Sequence, residues 1–172
     1  MRSNDEMSEL FDRIQELKPS DFGNSILTER HLCFTNEKRI EINKMMMHSD
    51  LKKKKRKPLV IEKNKDDQNS QDVQLLVGSP VMSVRNRASL GLVNGATFVV
   101  KKLDPLTLKD TLTNSIVKIT PEVFQEFFYI NHCSTVHKSQ GETINILFTI
   151  HQWSRMSKEM KYRQFLERQI NL

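Results

Sequence analysis

Residues 135–143 read Thr-Val-His-Lys-Ser-Gln-Gly-Glu-Thr and bring a hydroxyl, an imidazole, an ammonium, an amide and a glycine into one short stretch. A hydroxyl and a cation suit the backbone oxygens of a nucleic acid, and Gly141 lets main-chain N–H groups approach a second anion with no Cβ in the way. Taken singly, His137 or Lys138 is an ordinary polar turn residue. The order of the seven residues Thr135 to Gly141, between the apolar runs Phe124 to Ile130 and Ile144 to Ile150, is what points to phosphate contact.

Elements that would hold this string in place are legible around it. Met7, Leu10, Phe11, Ile14 and Leu17 fall at helical spacing over residues 4–18, and Lys18-Pro19-Ser20 ends that helix. Leu32 to Phe34 reads as a short buried strand, and a Thr35-Asn36 turn opens a helix carrying Ile40, Ile42 and Met45 to Met47. Strand, turn and helix in that order are the local grammar of an α/β domain. Thr35 and Asn36 are explained by helix capping, and equally by a phosphate held at the free N–H groups of that helix.

Residues 48–72 change character, with the cationic run Lys52 to Lys57, Pro58, the triplet Leu59-Val60-Ile61 and a polar stretch from Asp66 to Asp72. They read mostly as loop, with the triplet as an edge strand. Beyond them, short apolar runs at Val73–Val77, Val81–Arg85, Thr97–Leu103 and Ser115–Ile119 are separated by Gly, Pro and Asn turns, which predicts a small antiparallel barrel. Ile144 to Ile150 then reads as a central strand and residues 155–169 as a polar helix.

The bulk numbers narrow the class. A chain of 172 residues buries one full core, or one domain with an insertion. Its 27 Lys+Arg against 21 Asp+Glu give a net charge of +6, which favours polyanions, although the six cations of the run Lys52 to Lys57 equal that whole excess. Cys33 and Cys133 lie far apart with no metal-ligand spacing, so buried free thiols in a reducing compartment are expected. No run approaches the ~18 apolar residues that span a bilayer, and the expectation is an intracellular protein. The basic run suits nuclear import, or a viral replication site, as well as a plain solvated loop.

Read in order, Leu32-Cys-Phe-Thr-Asn36 with Ile40 and Asn43, Gly78-Ser-Pro-Val-Met82 with Asn86, Gly91-Leu-Val-Asn-Gly95 and Thr135-Val-His-Lys-Ser-Gln-Gly141 resemble the C-terminal half of superfamily 1 DNA helicases. The branch resembled is the PIF/RecD/Dda-like group, which moves 5′ to 3′, and the likeness covers roughly residues 5–150. It implies an α/β fold: a RecA-like parallel sheet with helices, carrying a small SH3-like β-barrel insertion. Residues 1–50 and 125–172 would form the two parts of that second RecA-like domain, 51–74 a basic and polar linker, and 75–124 the barrel.

The resemblance further implies that Thr35, Asn36, Thr135, His137 and Lys138 face single-stranded DNA, while Gln140, Gly141 and Glu142 approach the nucleotide. Two departures stand out. No Gly-x-x-x-x-Gly-Lys-[Ser/Thr] loop and no Walker B acidic pair occur in these residues, so phosphoryl transfer lacks its main positioning groups. ATP and Mg²⁺ would then be bound only together with a complementary N-terminal RecA-like half or another subunit. The family's terminal arginine motif is also altered: Tyr162 is followed by Arg163-Gln-Phe-Leu-Glu-Arg168, leaving Arg163 or Arg168 as arginine-finger candidates, or the motif lost. A degenerate, non-catalytic nucleic-acid-binding or assembly module is the alternative reading.

Overall fold

Two sheets meet where the chain passes from one to the other at Asn131 and His132. The computed structural model describes residues 28–139, 144, 146 and 148–161. The expected helix over 4–18 lies outside them, as do Gln140, Gly141, Glu142, Arg163 and Arg168. So does most of the 155–169 helix.

The first sheet is parallel and three-stranded. Its middle strand is β1 (Arg30–Cys33), flanked by β9 (Cys133–Thr135) and β10 (Phe148–Ile150). Register pairs His31 with Cys133, Leu32 with Ser134 and Cys33 with Thr135, and Arg30 with Phe148 on the other side. Ile144 to Ile150 was expected as a central strand; within the described sheet that place belongs to β1, and β10 pairs with β1 alone.

Helix α1 (Asn36–Lys54) packs on this sheet through Arg39, Ile42, Asn43, Met46 and Met47, which recur three and four residues apart and so share one face. Two of those five are polar, which is why the face is hard to see as an apolar stripe. The helix extends well beyond the 48–50 boundary where the sequence reads as loop. Lys52, Lys53 and Lys54 fall in its last turn, where cations complement the carbonyl end of the dipole, and Lys54 Nζ lies 3.5 Å from Asp50. Lys55 closes it in the left-handed conformation, donating its N–H to Leu51 O.

The second sheet is antiparallel, with strands β4 (Pro80–Ser83), β5 (Thr97–Leu103), β6 (Leu106–Asp110), β7 (Ile116–Lys118) and β8 (Phe128–Ile130) in the order β7-β6-β5-β4-β8. A separate hairpin-like pair joins β2 (Leu59–Ile61) to β3 (Val73–Leu75). Among the described residues no pairing links β7 back to β8, so the expected barrel takes the form of an open sheet. The aromatic run from Phe124 is also not all strand. Thr120 caps the short helix α2 (Pro121–Phe127), with proline at its first position, and only Phe128 to Ile130 is extended. Its Phe124 stacks on Phe128 and Phe98 meets Phe128 edge-on, both with ring centroids 5.5 Å apart, in a core with Val81, Val100 and Leu108.

Gly95 explains why the Gly91–Gly95 segment reads as a motif. It takes φ +88° and gives its N–H to Ser83 O at 2.8 Å, while Asn86 Oδ1 accepts from Asn94 N, so the segment locks β4 to β5.

Candidate nucleic-acid interface

Because β1, β9 and β10 run in parallel, the residues that follow them share one edge of the sheet. Ligands of open parallel sheets bind at such carboxyl ends. Thr35 and Asn36 follow β1, Val136 to Ser139 follow β9, and His151 to Trp153 follow β10.

Thr35 is the N-cap of α1, its Oγ1 accepting from Lys38 N at 3.3 Å. The neighbouring donors are already engaged from the third strand: Gln152 Oε1 accepts from Phe34 N at 3.2 Å, Thr35 N at 3.1 Å and Thr35 Oγ1 at 3.4 Å. Asn36 is exposed and its Oδ1 accepts from Arg39 Nε.

Thr135 is buried at 6% exposure, and its Oγ1 and carbonyl accept from Lys138 N. Its hydroxyl therefore shapes the turn that displays its neighbours. His137 and Lys138 are exposed on that turn, with the His137 ring 6.3 Å from Phe34. Ser139 is buried and donates its hydroxyl to Val136 O.

Beside Lys138 lies an open groove of about 440 Å³, lined by Asp66, Asp67, Gln68, Asn69, Val84, Arg85, Tyr129 and Lys138. Lys138 Nζ stands 5.1 Å from the Tyr129 ring centroid, and desolvation followed by the charge of Arg39 pushes its pKa down. Arg39, only 1% exposed, stacks on the same ring at 4.6 Å and donates to Asn69 O at 2.6 Å. The Tyr129 hydroxyl bonds Asp67 Oδ2; burial and that carboxylate push the phenol up to about 12. Burial would raise the Asp67 carboxyl, but the Tyr129 hydroxyl, the Asn69 amide and the charges of Arg85 and Arg39 outweigh it and hold the pKa below the ordinary carboxylate range.

The shape can be compared with known proteins. No protein-family model and no curated protein matches the chain. Among solved structures, one of DNA unwinding at forked dsDNA by two coordinating Pif1 helicases superposes with a TM-score of 0.61 over 95% of this chain at 20% identity. Bacteroides Pif1 bound to ssDNA gives a TM-score of 0.57 over 94% at 20% identity, and the Pif1 helicase from Candida albicans 0.56 over 94% at 14%. The chain shares the fold of part of these Pif1 helicases. It spans 40%, 42% and 46% of the length of those three solved chains.

Within this Pif1-type fold, the structure brings Thr35, Asn36, Thr135, His137 and Lys138 to one sheet edge, as their placement after parallel strands dictates. It also adds residues that the sequence did not single out. Gln152, Arg39, Asp67 and Tyr129 belong to segments that read as turn, helix face, polar loop and aromatic run, and only folding joins them. Buried Asn43 is the signal that was available: this polar residue beside Ile42 and Met46 to Met47 donates Nδ2 to Ile130 O and Cys133 O and accepts from Cys133 N. Cys33 and Cys133 are free buried thiols 3.6 Å apart, and burial with the Cys33 contact raises the Cys133 pKa. Phe148 packs with Leu32, Val136 and Met156, and Trp153, at the same cluster, lies under Lys161 Nζ at 5.1 Å.

Proposed function

We propose that this chain is the second RecA-like motor domain of a 5′ to 3′ DNA helicase, binding single-stranded DNA along the carboxyl edge of its parallel sheet. The observation that carries the reading is the convergence there of an exposed His137 and Lys138, the capped α1 N-terminus at Thr35-Asn36 and an adjoining open groove. Phosphates would meet Lys138 as a point charge and the His137 ring edge as a hydrogen-bond partner, with Thr135 acting through the turn. The open antiparallel sheet, most of it within residues 75–124, would guide or separate strands, and residues 51–74 would link it to the motor core.

ATP and Mg²⁺ enter only with a complementary N-terminal half. That half would also supply the metal ligands. Gln140, Gly141 and Glu142 would face the nucleotide and Arg163 or Arg168 its terminal phosphate. Solved relatives of the same fold include Bacteroides sp Pif1 in complex with ADP-AlF4. The basic run suits a nuclear or viral replication setting. A non-catalytic nucleic-acid-binding module is the second reading, favoured by the altered spacing between Tyr162 and Arg168.

A salt titration of single-strand binding tests the interface. Lys138→Ala should weaken binding alike on all sequences and lower the salt slope by about 0.7, the value of one single-strand phosphate contact. An unchanged slope overturns the assignment of Lys138. Adding a phosphate-loop half separates the two readings, because DNA-stimulated ATPase activity of the mixture is expected only for the motor domain.

A further inference from the structure

The groove beside Lys138 already contains an anion. Asp67 projects from the 62–72 loop, and the groups that hold it are those a phosphate oxygen would choose: a phenol hydroxyl from Tyr129, a main-chain amide from Asn69 at 2.9 Å and the nearby guanidinium groups of Arg39 and Arg85. Lys138 opens on the same space. Arg39 is buried, and its Nη1 has no hydrogen-bond partner among the described residues. A buried guanidinium with a free donor near a partly exposed carboxylate is a cation that can accept a different anion.

We propose that Asp67 is an internal competitor for the nucleic-acid phosphate: its carboxylate fills the anion position of the groove, and DNA binds fully only when the 62–72 loop yields it. This rests on the single-strand-binding reading above and assigns that site its regulation.

The build of the loop fits such a displacement. Its hydrogen bonds are largely internal: Lys63 N to Asp72, Asn64 N to Ser70, Asp66 N to Asn64 and Ser70 N to Asp67 O. It can therefore move as a unit. Its ties to the rest of the molecule are few, chiefly Tyr129 to Asp67, Arg39 to Asn69 and Gln125 to the Glu62 carbonyl. Asp66 and Asp67 both line the groove, so an approaching phosphate meets like charge as well as Lys138, and that repulsion lowers affinity and disfavours wrong placements.

Asp67→Asn keeps the side-chain shape and the acceptor for Asn69 N while removing the charge. In the full chain, binding of a fluorescent oligothymidylate at low salt should tighten roughly five- to tenfold, and the salt slope should steepen by about 0.7 because one more cation reaches a phosphate. Asp104→Asn, an exposed carboxylate in the turn between β5 and β6, changes net charge equally and should tighten binding far less. Unfolding midpoints of all variants establish that the fold is kept. Equal tightening by Asp67→Asn and Asp104→Asn, or none by either while the wild-type protein binds, overturns the competitor role and leaves the interface standing. Binding by Asp67→Asn alone supports both, and no binding by any variant overturns both.

Discussion

Asn43 shows how much one polar side chain can determine. It has no exposure to solvent and makes three hydrogen bonds, Nδ2 to Ile130 O at 3.2 Å and to Cys133 O at 3.1 Å, and Oδ1 from Cys133 N at 2.8 Å. These satisfy main-chain groups at the point where the chain leaves β8 for β9, which no strand ladder can reach. Arg30 secures the same crossing, donating to Asn131 O and Ser134 Oγ. Asn43→Ala strands buried donors and acceptors and should destabilise the fold by about 2–4 kcal/mol, read from urea unfolding. A loss no larger than that of an exposed alanine substitution on α1 would contradict the bracing role. The identity of such residues is legible in sequence only as an anomaly, a polar residue at the helical spacing of Ile42, Met46 and Met47; its partners, about ninety residues downstream, are not.

Elements whose signals are local were legible. The cap at Thr35 and the alternation from Thr97 to Leu103 depend on neighbours a few residues away, and the structure follows them. Where the reading failed, a longer-range term decided. His48 to Lys54 looks like loop because of its charge, yet a helix already started tolerates lysines at its carbonyl end. Leu106–Asp110 has little strand character and is drawn into β6 by the partners β5 and β7 on either side. Gln152, in a left-handed turn at φ +60°, was invisible because its role at the α1 N-terminus depends on β10 lying beside β1. Gln152→Glu places a carboxylate against that N-terminus and should raise stability by about 0.3–1 kcal/mol while weakening single-strand binding. Affinity unchanged alongside higher stability would separate the helix end from the interface.

At the scale of the molecule, two buried imidazoles, His31 and His132, and a partly buried one, His151, belong to the parallel sheet and its joint with the second. His31 Nδ1 and His151 Nε2 are 3.0 Å apart, and His132 lies 3.9 Å from Asp50. Burial lowers all three pKa values, His132 and His151 to about 4, with neighbouring charges from Arg30, Lys54 and Lys38 adding to it and Asp50 and Glu41 opposing it. The folded state thus holds fewer protons than the unfolded chain between the ordinary histidine value of 6.5 and about 4. Stability is full above that window and falls as pH drops through it, by an amount on the order of a few kcal/mol. Urea unfolding near pH 7 and near pH 5 should show the loss, and His132→Gln should reduce it; a flat profile would mean that these rings protonate without cost in the native protein.

The position of β1 carries a temporal consequence. The strand leaves the ribosome well before its described partners, which are encoded about a hundred residues later, Cys133 to Thr135 and Phe148 to Ile150. Until they arrive, each nascent copy presents two bare backbone edges and the apolar Leu32 to any neighbour on the same messenger. Exposure of those edges during synthesis is then a source of misassembly separate from the final free energy of the finished molecule.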